Sequence, residues 1–159
     1  MHIATRSGKI NISKEKDTKL IAERLCKHIN LGDFILLTGN LGVGKTTFIK
    51  YIINSLQRIN RQKLSEVPSP TFNITNEYQI KKILIKHYDL YRIKNKTELI
   101  NLGFQENLKK QITLIEWPEI AKKIKINNNI SLIFKYNKTY TERYLTIISK
   151  NKKIINEFK

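Results

Sequence analysis

The sequence is poor in the residues that staple or bend a chain: of 159 residues one is cysteine, three are proline and six are glycine. A single cysteine, Cys26, excludes an internal disulfide and any zinc site built on cysteines, and it reads as a small core residue on a helix. With little proline and 40% hydrophobic residues, the composition is that of a folded domain and not of a disordered chain. At this length one α/β domain over residues 1–159 is the expectation. No apolar run has the length of a membrane span, and Met1 to Arg6 lack the apolar core of a secretory signal, so a reducing cytoplasm is the expected setting. Acid is also scarce. Thirteen acids against 30 bases leave a formal charge of +17.

Such a charge invites a nucleic-acid reading, because basic surfaces bind phosphate backbones non-specifically. Two features argue against taking it at face value. The chain is heavy in lysine, isoleucine and asparagine, a composition that an AT-rich genome favours by itself. The lysines are also scattered along the sequence, without the interleaved aromatics that stack single-stranded bases.

What glycine there is, is concentrated. Three of the six glycines fall in Gly39-Asn40-Leu41-Gly42-Val43-Gly44-Lys45-Thr46, which fits the phosphate-loop pattern G-x-x-x-x-G-K-[ST]. The flanks are the required ones. Phe34 to Leu37 is a continuous apolar run suited to a buried parallel strand. Phe48, Ile49, Ile52, Ile53 and Leu56 follow at helical spacing. In such a loop backbone N–H groups approach a nucleoside triphosphate, Lys45 reaches its β- and γ-phosphates, and the Thr46 hydroxyl ligates Mg²⁺. The helix beginning near Thr46 turns its N-terminal dipole to the same anion.

Around the loop, residues 1–12 are weakly strand-like. Ser13 predicts an N-cap, with Glu15 and Asp17 in the first turn of a helix running to about Asn30, where Gly32-Asp33 turns the chain. Residues 57–66 read as polar and mobile, and the two prolines of Val67-Pro68-Ser69-Pro70-Thr71-Phe72 fix an extended path. Strands are expected over 72–79 and 83–88, and Thr97 is expected to cap a short helix ended by Gly103. Asn95-Lys96-Thr97-Glu98 looks like the guanine-reading Asn-Lys-x-Asp signature of GTPases, but with Glu for Asp and no buried strand before it, it reads as that helix start. Ile112 to Ile115 is a second candidate buried strand, with a short helix expected from Pro118. Two more strands over 130–136 and 143–149 precede a basic, frayed tail.

A phosphate loop needs a carboxylate at the end of a neighbouring strand to orient metal or water. Asp89 and Glu116 each close a strand-like run, at the boundary where open α/β sheets bind ligands. His87 has no serine or cysteine partner and reads as a packing or hydrogen-bonding residue. Arg92 fits either a phosphate or a strand end, and Trp117 reads as a core or edge anchor, its place after Glu116 suggesting a ligand-facing role.

The phosphate loop, Ser69-Pro70-Thr71-Phe72, His87-Tyr88-Asp89-Leu90-Tyr91-Arg92, Leu102-Gly103-Phe104 and Ile115-Glu116-Trp117-Pro118, in this order, make the chain resemble the TsaE (YjeE) family. These are small bacterial P-loop ATPases of tRNA threonylcarbamoyladenosine synthesis. The resemblance covers about residues 13–118. It implies a P-loop NTPase-like three-layer sandwich, with a mostly parallel central sheet and antiparallel edge strands. It implies an ATP site of Gly39, Asn40, Leu41, Gly42, Val43, Gly44, Lys45, Thr46 and Thr47, with Mg²⁺ held by Thr46 and Glu116. It makes Asp89 the carboxylate that activates water or organises the metal, and Thr71 part of a segment that senses the γ-phosphate. It sets Thr18 near the adenine and Arg143 in the nucleotide pocket. Lys50 stands where the family has arginine; it keeps the charge but not bidentate pairing. The resemblance further implies a monomer, weak as an ATPase alone, that acts on a complex of TsaD with TsaB; direct contact with tRNA stays open.

A small P-loop kinase acting on a metabolite is the competing reading. A kinase lid is rich in arginine, and this chain has six arginines, none between 97 and 130. A non-catalytic RNA-binding module rests on net charge alone. If the loop binds a nucleoside triphosphate, Lys45→Ala abolishes nucleotide-dependent function; a variant with normal ATP affinity and turnover removes the premise.

Overall fold

The computed structural model describes residues 4–124, 126 and 128–159. Lys125 and Asn127, in the stretch between Pro118 and the expected strand at 130, lie outside the described residues. In chain order the elements are β1 (Thr5–Arg6), β2 (Ile10–Asn11), α1 (Glu15–Cys26), β3 (Phe34–Thr38), α2 (Lys45–Ile59), β4 (Thr75–Ile80), β5 (Ile83–Asp89), α3 (Lys96–Asn101), β6 (Gln111–Glu116), β7 (Asn129–Tyr136), β8 (Arg143–Ser149) and α4 (Lys152–Glu157), with 3-10 turns at Leu108–Lys110 and Ala121–Lys123.

Among the described residues the strands form one sheet in the order β1-β8-β7-β3-β6-β5-β4, with β2 also on β8. The four central strands, β7, β3, β6 and β5, are parallel, whereas β4, β8 and the two N-terminal strands pair antiparallel at the edges. β3 is buried on both faces, as its unbroken Phe34-Ile35-Leu36-Leu37 run requires. Ile35 and Leu37 point into a core with α1, α2 and α4, built on Leu25, Phe48, Ile49, Ile52, Ile53 and Phe134. Phe34 and Leu36 point into a smaller one with Tyr88, Leu99, Phe104 and Ile115. Helices therefore cover both faces of the sheet, the expected three-layer sandwich.

Several local expectations are corrected. Helix α1 takes Lys14, not Ser13, at its cap, because the Ser13 hydroxyl accepts the Arg143 backbone N–H at 2.9 Å and so ties the helix entry to β8. The helix ends at Cys26, short of Asn30, where the bonds from Lys27, His28 and Ile29 tighten to the carbonyl three residues back. Asn95, not Thr97, caps α3, its side chain accepting the Glu98 N–H at 2.9 Å. Pro118 opens no α-helix; the chain turns and makes only the 3-10 turn Ala121–Lys123. The segment expected to be mobile begins inside α2: the helix runs to Ile59, and the buried Gln57 side chain pairs with Ser65 both ways, at 2.8 and 3.1 Å. The tail is not frayed. It forms α4, whose Ile154 and Ile155, with Phe158, enter the core, and Glu157 pairs with Arg24 at 2.8 Å.

Cys26 lies on the inner face of α1 with its Sγ 3.5 Å from the Ile52 carbonyl. Burial is the main cause that pushes its thiol up to about 12, a nearby Ser55 contact opposing it. The folded protein at pH 8 is therefore expected to resist iodoacetamide and to label only as denaturant unfolds it. Rapid stoichiometric labelling under native conditions contradicts this packing.

Candidate functional site: the phosphate loop and the carboxyl edge of the sheet

The parallel registers set the site. Leu37 pairs with Glu116 and Asp89 pairs with Glu116, so the carboxyl ends of β3, β6 and β5 reach one edge together. The loop leaves β3 at Gly39, whose φ of +154° is open to glycine; a Cβ there meets the Phe134 carbonyl at 2.7 Å. The backbone thus passes hard against β7 before turning into α2 at Gly44, which caps the helix in the left-handed region at φ +108°. A cleft of about 470 Å³ lies over this edge, lined by Leu41, Gly42 and residues 44–47 of the loop and α2, by Ser69 and Thr71, and by Asp89, Tyr91, Arg92, Glu116 and Trp117.

Lys45 is only 4% exposed. Its Nζ donates to the Gly39 and Asn40 carbonyls, both at 2.9 Å, and sits 4.1 Å from the centroid of the Trp117 ring. Burial lowers its pKa, opposed by the charges of Glu116, Asp89 and Glu119. Trp117 holds an unusual backbone for a tryptophan before proline, φ +57°. Such a conformation costs about 1–3 kcal/mol and persists where its surroundings fix it. Here the Trp117 N–H donates to the Leu37 carbonyl at 3.2 Å and the Tyr91 ring packs 5.0 Å away. The strain places the indole under the lysine.

Thr46, at the start of α2, donates its hydroxyl to Glu116, 2.8 Å from Oε1 and 3.1 Å from Oε2. Glu116 Oε1 is also 3.0 Å from His87 Nε2. Asp89 accepts on Oδ2 from Ser69 at 3.1 Å and Thr71 at 3.3 Å, and on Oδ1 from the Tyr91 N–H. The Ser69–Thr71 loop is held there by Ile74, a β-branched residue at φ +66°, whose N–H donates to the Pro70 carbonyl and whose carbonyl accepts the Asp89 N–H.

Thus Lys45, Thr46, Thr71, Asp89 and Glu116 come together around one cleft. Val43 is buried in the core, leaving its backbone alone for the loop, and the Asn40 carbonyl is taken by Lys45. Thr18 and Arg143 stand apart from Asp89 and Glu116, in a smaller hollow of about 150 Å³ that shares only Gly44 and Thr47 with the main cleft. The Thr18 hydroxyl is committed to the Ile12 carbonyl at 3.1 Å, and Arg143 donates to the Ser13 carbonyl at 2.7 Å. Sequence reasoning passed over Ser69, although it stands beside Thr71, and Tyr136, whose hydroxyl donates to the Gly42 carbonyl at 3.0 Å. His87 is a hydrogen-bonding residue as expected, and its place two residues before Asp89 puts both on one face of β5. Nothing in the sequence points from Tyr136 to a loop more than ninety residues earlier.

No group of three or more His, Cys, Asp or Glu among the described residues is arranged to hold a metal ion. Mg²⁺ needs no such cage: it keeps several waters and takes one or two protein ligands beside phosphate oxygens. Thr46 fits that role, because a hydroxyl that gives its one proton to Glu116 keeps its lone pairs for a cation.

The family model for "Threonylcarbamoyl adenosine biosynthesis protein TsaE" matches residues 12–145. Relatives named "tRNA threonylcarbamoyladenosine biosynthesis protein TsaE" include that of Rickettsia felis, 40% identical over 70% of this chain and 63% of its own. The match thus spans less than two thirds of the Rickettsia felis relative. The Rickettsia prowazekii relative is 40% identical over 70% of this chain and 74% of its own, and the Aquifex aeolicus relative 34% identical over 77% and 85%. The crystal structure of Bacillus subtilis YdiB superposes with a TM-score of 0.73 over 99% of this chain and 94% of that one at 23% identity, a likeness of fold.

Glu116→Ala leaves the buried His87 N–H without its acceptor, at a cost of about 1–3 kcal/mol, and leaves the half-buried Thr46 hydroxyl to water. Glu116→Gln keeps a carbonyl oxygen there and loses the charge. The alanine variant is therefore expected to melt lower than the glutamine variant, while both lose Mg²⁺-dependent nucleotide turnover. Equal melting temperatures, or unchanged metal-dependent turnover, contradict the arrangement.

Proposed function

From the premise that this chain belongs to the TsaE family, we propose that it is a Mg²⁺-dependent P-loop ATPase of tRNA threonylcarbamoyladenosine biosynthesis, accessory to a complex of TsaD with TsaB. The observation that carries the reading is the meeting of Thr46 with Glu116 across 70 residues of chain, directly beside Lys45. A glycine-rich turn without nucleotide has no need of a hydroxyl and a carboxylate so placed.

The residues divide the work by position. Lys45 exchanges the Gly39 and Asn40 carbonyls for phosphate oxygens, a better partner for a partly desolvated ammonium. Thr46 and Glu116 hold Mg²⁺, which when bound neutralises charge on the phosphates. Asp89, whose oxygens already accept two hydroxyls and an N–H, orients a water or the metal shell, and Thr71 and Ser69 exchange its oxygens for the γ-phosphate. Thr18 and Arg143, in the adjoining hollow, take the nucleoside side. Besides Lys45, Arg92 is the cationic side chain that lines the main cleft among the described residues, its guanidinium 5.4 Å from the Phe72 ring. In P-loop sites an arginine supplied by a partner raises turnover by orders of magnitude.

A partner fits that need. Leu41, at the tip of the phosphate loop, is 81% exposed, Phe72 beside the Ser69–Thr71 loop is 85% exposed, and Tyr91 lines the cleft with 65% exposure. Apolar side chains around a charged cleft favour a protein partner that covers it. Among the described residues no helix is long and apolar enough to cross a membrane.

ATP turnover is expected to be slow for the chain alone and to rise when a purified TsaD–TsaB pair is added. No rise, together with transfer of the γ-phosphoryl group to a small molecule, replaces this reading with the kinase.

A further inference from the structure

The buried histidine beneath the carboxylate has no part in the chemistry above. His87 is completely buried, on the same face of β5 as Asp89 and on the side of the sheet that α2 covers. The inward positions next along this strand and its neighbour are apolar, Ile85 and Leu114. Packing alone is served at lower cost by an isoleucine or leucine, because burying an imidazole sacrifices its hydration. The ring is turned so that Nε2 lies 3.0 Å from Glu116 Oε1, the oxygen that Thr46 also reaches at 2.8 Å. Nδ1 has no partner among the described residues. The pairing with a carboxylate, which only accepts, is met by the Nε2–H tautomer, which leaves Nδ1 without a proton that needs an acceptor.

We propose that His87 is the positioning residue for Glu116: its Nε2–H pins Oε1 from below while Thr46 pins it from the side of α2. The proposal rests on the reading of Glu116 as a Mg²⁺-holding carboxylate. A carboxylate with one anchor turns about its terminal bonds; with two donors from different elements its plane is fixed before metal and nucleotide arrive. Preorganisation of this kind is how an outer partner tunes a ligand, and removing such a partner costs about 10–100-fold in metal affinity or activity. The chain order adds a constraint. His87 and Asp89 are two residues apart on β5, and Asp89 registers with Glu116. One strand therefore delivers one carboxylate to the cleft and the support for the other.

The test is a series at position 87, in the full chain, with the Mg²⁺ concentration for half-maximal ATP turnover as the readout. His87→Leu removes the donor, His87→Asn supplies an N–H one atom too short, and His87→Gln supplies one at comparable reach. Leucine and asparagine are expected to raise the Mg²⁺ requirement about 10–100-fold, with glutamine within about threefold of the parent. Binding of nucleotide in EDTA is expected to stay unchanged. If His87→Leu fails to fold, the asparagine and glutamine pair decides. Equal effects of asparagine and glutamine, or a lower melting temperature with an unmoved Mg²⁺ requirement, overturn the proposal in favour of packing.

A second readout is independent of turnover. The chain has three histidines, so the imidazole nitrogens can be assigned by ¹⁵N NMR with His87 substitution. His87 is expected to carry its proton on Nε2, with that resonance moving in Glu116→Gln; a proton on Nδ1 overturns the proposal. A parent that hydrolyses ATP with Mg²⁺ but ignores His87→Leu removes this inference alone. A parent that shows the Nε2–H signature but neither binds nor hydrolyses ATP removes the reading of the site and leaves the hydrogen bond standing.

Discussion

The site depends on the in-register parallel pairing of three central strands. β6 lies between β3 and β5, and Glu116 is registered with Leu37 on one side and Asp89 on the other. A slip of one residue in either ladder sends Glu116 to the opposite face, toward Phe34 and Tyr88 and away from Thr46 and His87. The same register brings the end of β3 to the point where Gly39 must clear the Phe134 carbonyl, which fixes the path of the loop. Core packing and site geometry are therefore one constraint: Leu37 and Leu114 hold the ladder that aims Glu116 at Thr46.

Above that frame the site is satisfied within itself. Lys45 is docked on two loop carbonyls and an indole face, Asp89 accepts from two hydroxyls and an N–H, and Glu116 accepts from Thr46 and His87. The charged groups of the cleft each have hydrogen-bond partners, which spares them the cost of an unmade bond, while the buried His87 Nδ1 has none among the described residues. On the proposed reading a phosphate ligand would act by exchange, taking a lysine and hydroxyls that already have partners. Strain sits at the two hinges of this arrangement, Trp117 and Ile74, both at positive φ and both held by backbone hydrogen bonds to neighbouring strands or turns. One supports the lysine and the other supports the segment that latches Asp89.

Much of the fold was legible because its signals are local. The four apolar residues of β3 read as a buried strand, and the spacing of Phe48, Ile49, Ile52, Ile53 and Leu56 read as the inner face of α2. Where sequence reading failed, a distant partner had overruled a local preference. Ser13 has the chemistry of a cap, but β8 offers its hydroxyl the Arg143 N–H. The tail looks frayed until Arg24 and the core give Glu157 and Phe158 somewhere to go. Gln57 reads as a solvated residue, but its side chain is buried and pairs with Ser65 at the surface. Thr18 and Arg143, drawn from resemblance alone, fall beside the loop but in a separate hollow.

By itself the sequence determined the phosphate loop, the strand and helix around it, and two carboxylates at strand ends, because each is written in a few adjacent residues whose chemistry needs no partner. Only the tertiary structure decided what those carboxylates do. Glu116 reaches Thr46 and His87, while Asp89 is held by Ser69 and Thr71, and the choice follows from which strands are neighbours and in what register. It also decided that Trp117, the one tryptophan in the sequence, lies under Lys45, since a positive φ before proline is a strained state that surrounding contacts, and not local preference, select.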